Sequence, residues 1–243
     1  MKKKTACPRP IRLILFCIKW SVVLAIWSGV GIGIAVLVLA YDMPHAYELD
    51  KIPRKPTVTV LAADGTELMS YDHGRARDLT FDDFPAHLIR AVVAIEDRRF
   101  FRHPGIDPIG LARAVKANIQ AKRIVQGGST ITQQLAKNLF LTGDRTIRRK
   151  VQETLLALWL ERKYTKKEIL AGYLNNVYLG AGTYGMDAAA RTYFGKSARA
   201  VNLGEAAMLA GLLKAPSRYN PSADPSRARA RAKLVLKVMD DAG

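Results

Sequence analysis

Glu96 opens the string Glu-Asp-Arg-Arg-Phe-Phe-Arg-His-Pro-Gly-Ile-Asp (residues 96–107), and Gly-Gly-Ser-Thr-Ile-Thr-Gln-Gln-Leu-Ala-Lys-Asn (127–138) follows it. The first string ends a helical pattern on a carboxylate. A helix C-terminus carries partial negative charge, which disfavours the ionised form there. Burial by Phe100 and Phe101 acts in the same direction and makes Glu96 a better proton acceptor. The second string is a glycine-released helix start, whose free backbone N–H groups suit an anion. Together they fit a general base working on an anionic, phosphate-bearing sugar. Taken alone, Glu96 also reads as a surface glutamate paired with Arg98 or Arg99.

Glu153 is the second carboxylate, and Arg149 four residues before it suggests an ordinary helix-surface ion pair. Arg145, Arg148, Arg149 and Lys150 nevertheless crowd the start of this helix, where cations oppose the dipole. Beside exposed backbone N–H groups they make a seat for a phosphate, with a solvated basic face as the alternative. Lys137 and Asn138 can add to that seat, since Leu135 and Leu139 take the apolar stripe of their helix. Gln133 and Gln134 point to different sides, so one can close the helix cap while the other hydrogen-bonds a sugar. His103 is expected to make a structural hydrogen bond to backbone. No His/Cys cluster, His-Glu-x-x-His string or phosphate-binding Gly-x-x-x-x-Gly-Lys loop is present, so a zinc enzyme or nucleoside triphosphatase is unsupported. Ser-x-x-Lys is also absent, so no acylated serine can be named.

The elements that must position these groups are mostly helical. A hairpin is expected around Asp64-Gly65, between 57–61 and 67–71. Asp83 and Pro85 open a helix with Leu88, Val92 and Ile95 on one face and Glu96 at its end. Asp107 and Pro108 open the next, with Ile109, Ala112, Val115 and Ile119 inward. Thr130 and Gln133 have capping-box spacing, as do Thr165 with Glu168 and Asn202 with Glu205. Ile147, Val151, Leu155 and Leu158 stripe a long helix, and Ile169, Leu170, Tyr173 and Leu174 stripe its successor. Asp224 and Pro225 open the last helix.

The chain has 243 residues and a net charge of +17, of which +6 falls in residues 1–40 and +11 in the remainder. A basic folded domain suits nucleic acid, an anionic membrane surface or a phosphorylated substrate. Residues 20–40 are uncharged and long enough to cross about 30 Å of hydrocarbon. Every cation of the N-terminal segment precedes that run, so the N-terminus stays cytoplasmic and the rest is exported. Both cysteines, Cys7 and Cys17, lie in this segment, so the exported part has neither a disulfide framework nor a thiol nucleophile. The organisation expected is a basic tail (1–19), a transmembrane helix (20–40), a linker with the hairpin (41–74) and a helical domain (75–243).

The two opening strings resemble the first two motifs of the peptidoglycan glycosyltransferases (glycosyltransferase family 51). Arg149-Lys-Val-Gln-Glu153 is similar to the third motif, and Lys167-Glu-Ile-Leu-Ala-Gly-Tyr-Leu-Asn-Asn-Val-Tyr-Leu-Gly180 to the fourth. Tyr193-Phe-Gly-Lys196 and Glu205-Ala-Ala-Met-Leu-Ala-Gly211 resemble parts of the fifth. The resemblance implies a mainly α, lysozyme-like helical domain, with the short hairpin before it and one N-terminal transmembrane helix. It implies polymerisation of lipid II into glycan strands at the cell (inner) membrane, with the catalytic domain periplasmic or extracellular.

By the same resemblance, Glu96 matches the glutamate that deprotonates the acceptor hydroxyl, and Glu153 the one that assists at the donor. Lys137 and Arg145 match residues holding the donor pyrophosphate. Ser129, Thr130, Gln133, Gln134, Asn138, Arg149 and Lys150 match positions lining the cleft. A divalent cation, usually magnesium (Mg2+), is implied. So are lipid II, the growing glycan chain and partners in a cell-wall synthesis complex; nucleic acid is not expected as a partner. The hairpin and the run Leu234-Val-Leu-Lys-Val-Met239 resemble the flanks of the transferase in class A penicillin-binding proteins, so a fragment of such a protein or a short-form, monofunctional transglycosylase is expected. A lytic, lysozyme-like glycan cleaver is the rival enzyme, and a membrane-tethered binding module the non-enzyme alternative.

Overall fold

The computed structural model describes residues 9–41, 58–64, 67–71, 78–123, 127–141 and 146–242. The chain divides into two units, Met1–Met43 and Pro44–Gly243. The first contains α1 (Arg9–Tyr41), one unbroken helix of 33 residues that includes the expected span 20–40. Among the described residues, no helix is long and apolar enough to cross a membrane.

The second unit begins with the expected hairpin. β1 (Val58–Leu61) pairs antiparallel with β2 (Glu67–Tyr71), Val58 opposite Tyr71, with an irregularity at Val60/Leu61. Helices then follow: α2 (Ala86–Glu96), α3 (Pro108–Ala121), α4 (Ile131–Phe140), α5 (Ile147–Lys163) and α6 (Lys166–Asn176). A second hairpin, β3 (Tyr178–Gly180) with β4 (Thr183–Tyr184), interrupts a region that the sequence reads as almost wholly helical. The chain ends with α7 (Met186–Phe194), α8 (Leu203–Leu212) and α9 (Pro225–Asp240).

The helix starts follow from local chemistry. Thr130–Gln133, Thr165–Glu168 and Asn202–Glu205 all close as reciprocal capping boxes, and the Asp224 side chain accepts from Arg227 N–H. Asp83 is different. It closes a box with Thr80 around a short 3-10 turn (Phe81–Asp83) instead of capping α2. The Thr80 hydroxyl and N–H, with Arg199 nearby, hold its carboxyl down at about 2. Asp107 precedes α3 as expected but makes no side-chain cap bond; its carboxylate faces Arg99 at 3.7 Å.

The core lies where α4 packs against α5 and α6, and where α2 packs against α8 and α9. Leu88, Val92, Ile131, Leu135, Leu156, Leu160, Ile169, Leu170, Tyr173, Leu174, Leu209 and Val235 are all buried there. Two expected faces are corrected. On α3 only Ala114 is buried, while Ile109, Leu111, Val115 and Ile119 are 60, 49, 48 and 71% exposed. On α5 the buried stripe is Glu153, Leu156, Ala157 and Leu160, whereas Ile147 and Leu158 are exposed. Helix α5 is apolar on more than one side, so packing against α4 selected the face that carries an acid.

Gly105 links the two opening strings. Its φ is +88°, and its carbonyl accepts the Thr130 hydroxyl at 2.6 Å. A Cβ there would sit 2.9 Å from Glu161 Cγ and 3.2 Å from Ala157 O. Gly105→Ala should therefore cost about 1–3 kcal/mol of stability, combining left-handed strain with the clash. Urea unfolding of the variant beside the wild type measures this.

Candidate active site

Glu96 is the last residue of α2, and its partly buried carboxylate accepts from Gln134 Nε2 of α4 at 2.8 Å. The Tyr173 hydroxyl of α6, itself fully buried, donates to Gln134 Oε1 at 3.2 Å and keeps that amide in place. Burial raises the Glu96 carboxyl above its ordinary value, against the lowering effects of Gln134, Arg231 and Lys137. The two arginines next in sequence have other partners. Arg98 Nε donates to Ala94 O, and Arg99 pairs with Asp107. Glu96 is thus not the surface ion pair that its local sequence also allows.

Asp97 and His103 brace the same corner. Both are buried, His103 Nε2 lies 3.0 Å from Asp97 Oδ2, and the Asp97 carboxylate also accepts from Ile131 N–H at 3.2 Å. The expected backbone partner of His103 is therefore a side-chain carboxylate. This ties the end of α2 to the first turn of α4, the helix that supplies Gln134.

Gln133 and Gln134 separate as their adjacency requires. Gln133 accepts from Thr130 N–H and donates to Thr154 Oγ1 of α5, so its amide is committed to the cap and to the neighbouring helix. Thr130 is committed as well, through Gly105 and Gln133 N–H. Lys137 follows Gln134 by three residues on the face toward Glu96, within electrostatic reach of the carboxylate. Asn138 is exposed on the same helix.

Glu153 belongs to a separate set of contacts. It is buried on α5, with Lys150 Nζ 2.6 Å from its Oε1. The same ammonium donates to Ser129 Oγ at 2.8 Å, joining the loop before α4 to the start of α5. Arg149 is partly buried in that first turn, and its N–H is capped by the Thr146 hydroxyl. Arg145 lies outside the described residues. Ser129, Lys150 and Glu153 are brought together; Glu96, Gln134 and Lys137 form a second group.

Two further groups near Glu96, Tyr173 and Arg231, carry no local signal of a role. Tyr173 reads as one more member of an apolar stripe, and Arg231 as one of many basic residues on α9. Among the described residues no cluster of three or more His, Cys, Asp or Glu is placed to hold a metal ion.

The transglycosylase family model matches residues 64–240. Penicillin-binding protein 1A of Aquifex aeolicus (strain VF5) is 56% identical over 165 residues, 68% of this chain and 23% of that protein. Penicillin-binding protein 1A of Neisseria gonorrhoeae is 44% identical over 212 residues, 87% of this chain and 27% of that protein. The crystal structure of penicillin-binding protein 1A from Haemophilus influenzae shares 26% identity at a TM-score of 0.44, covering 77% of this chain and 18% of that one. The chain thus spans about a quarter of the length of the curated relatives it matches.

Proposed function

The chain belongs to the transglycosylase family, and on that premise we propose that it is a peptidoglycan glycosyltransferase that joins lipid II units into glycan strands for the cell wall. The observation that carries this reading is the placement of Glu96. A partly buried carboxylate, its pKa raised by burial, is held by an oriented amide within electrostatic reach of the Lys137 ammonium. A carboxylate whose pKa is raised is a better proton acceptor than an ordinary one.

In the proposed step, Glu96 takes the proton of the acceptor's 4-hydroxyl as that oxygen bonds to the donor's anomeric carbon. The bond from that carbon to the pyrophosphate breaks on the opposite face, its electron pair leaves with the lipid pyrophosphate, and the configuration inverts. The leaving group is already good, so the site needs charge neutralisation more than a strong acid. Lys137, Arg145, Arg149 and Lys150 are assigned that task. Ser129, Thr130, Gln133 and Gln134 shape the wall of the cleft. Glu153 holds Lys150 at the donor side, and Asn138 lines the cleft edge. Magnesium, if used, would arrive with the substrate's phosphates, and no step above is routed through it.

Anchoring in the cell membrane belongs to the same proposal. It is supported by the uncharged run 20–40 within α1, and by the exposed apolar face of α3. Both suit an enzyme whose substrates are tethered to a lipid bilayer. Partners in a cell-wall synthesis complex are proposed on the likeness to the longer relatives alone.

Incubation with labelled lipid II tests the assignment. Polymer is expected, with a rate that climbs with pH as Glu96 deprotonates and an acid limb centred above the 4.5 of an ordinary glutamate. Cleavage of finished glycan without polymer formation would favour the lytic rival instead.

A further inference from the structure

Tyr173 of α6 is fully buried, and its hydroxyl donates to Gln134 Oε1 of α4 at 3.2 Å. The other end of the same amide, Nε2, donates to Glu96 Oε2 at the end of α2, at 2.8 Å. Three helices thus supply one chain of hydrogen bonds, and that chain has a direction. Burial pushes the phenol well above its ordinary value, with the Glu96 carboxylate acting the same way, so Tyr173 stays protonated and donates. A glutamine amide has an acceptor at one end and donors at the other, so a donor at Oε1 turns the NH2 group toward Glu96. Turned over, the amide would aim its carbonyl oxygen at a carboxylate and deprive the buried phenol proton of its acceptor. The direction also decides which oxygen of the base is engaged. Gln134 occupies Oε2, and among the described residues no donor bonds Oε1.

We propose that Tyr173 is a positioning residue of the base. By holding the Gln134 amide in one orientation, it commits Glu96 Oε2 to the scaffold and leaves Oε1 to take the proton of the acceptor's hydroxyl. This rests on the reading of Glu96 as the base. Tyr173 acts through Gln134 and is itself enclosed in the core, away from the sugars. A carboxylate fixed at one oxygen presents the lone pairs of the other in a set direction, which is the geometric demand of proton abstraction. The charged groups acting on Glu96 are Asp97 beside it in sequence, Lys137 from α4 and Arg231 from α9. On α8, which also packs against α2, the acid Glu205 is paired with Lys196. All of these are retained when Tyr173 loses its hydroxyl, so that change isolates the relay.

Tyr173→Phe in the full 243-residue chain keeps the buried ring and removes only the hydroxyl. The Glu96 carboxyl is followed with 13C-labelled glutamate, its signal assigned by its loss in Glu96→Gln. The midpoint should rise by roughly half a unit to one unit, because the carboxylate loses a fixed donor. In lipid II polymerisation, kcat at the pH plateau should fall roughly tenfold with KM unchanged, as a misdirected base requires. In a Gln134→Leu background the same change should have no further effect on midpoint or kcat, since the tyrosine acts only through that amide. A midpoint unmoved by Tyr173→Phe, or an equal further loss in the Gln134→Leu background, overturns the proposal. If Tyr173→Phe does not fold, 3-fluorotyrosine installed at position 173 takes its place, as a stronger donor of nearly the same shape. The Glu96 midpoint should then fall, and an unmoved midpoint again overturns the proposal. If the wild type makes no polymer, the assigned reaction falls while the titration still decides the role of Tyr173.

Discussion

Glu96→Gln should lower turnover of lipid II by roughly 10²–10⁴-fold, the usual contribution of a positioned general base, while leaving the protein folded and at least as stable. The two halves of this expectation have one cause. An amide at position 96 keeps an oxygen for Gln134 Nε2 but cannot accept the acceptor's proton. For stability the sign is set by the raised pKa of Glu96, a net result that already contains the favourable effects of Gln134, Arg231 and Lys137. The native state then holds its proton more tightly than the unfolded chain does. Stability contributed by the neutral form is present below the unfolded pKa, near 4.5, and is lost as pH rises through the higher folded value. Glutamine never ionises. The melting temperature of the variant should therefore match the wild type at low pH, then exceed it increasingly until Glu96 is fully ionised, after which the gap stays constant. Thermal unfolding across pH, paired with steady-state polymerisation, checks both halves. A variant that is inactive because it is unfolded would contradict the assignment of Glu96 as a residue of the site alone.

Lys137→Ala should cut kcat/KM by roughly 10²–10³-fold, as expected when one preorganised charge facing a developing anion is removed. Here the melting temperature should barely change, because Lys137 is partly exposed and the buried face of α4 is carried by Ile131, Leu135 and Ala136. A smaller, coupled effect is also expected. Lys137 lowers the Glu96 pKa, so its loss moves the acid limb of the rate profile to higher pH. Kinetics on lipid II at several pH values separate the two. The drop at the plateau reports the donor pyrophosphate, and the displacement of the limb reports the base. Retention of full plateau activity would remove Lys137 from the donor site.

Much of the fold is readable from local rules because those rules act within a few residues. The capping boxes at Thr130, Thr165 and Asn202 close as their spacing requires. The stripe Ile169, Leu170, Tyr173 and Leu174 is buried as its period implies. The hairpin flanking Asp64 pairs over nearly the residues anticipated. The errors have equally physical sources. Periodicity shows that α3 has an apolar face but not what covers it, and in this chain that face is open. On α5 the apolar residues surround the helix, so its period selects no side. The hairpin after α6 is too short to register as alternation; it turns through Gly180, Ala181 and Gly182, all at positive φ.

The sequence by itself determined the family, the carboxylate that ends α2 and the glycine-released start of α4, because each is written in contiguous residues whose backbone preferences and caps are local. Only the tertiary structure decided how that carboxylate is held. Gln134, Tyr173 and Arg231 come from three different helices, and nothing in their own neighbourhoods marks them as companions of Glu96. The same holds for Glu153, whose burial follows from which side of α5 meets α4. Hydrogen bonds within a turn are set by spacing, whereas the field at a buried acid is set by which distant helices pack around it.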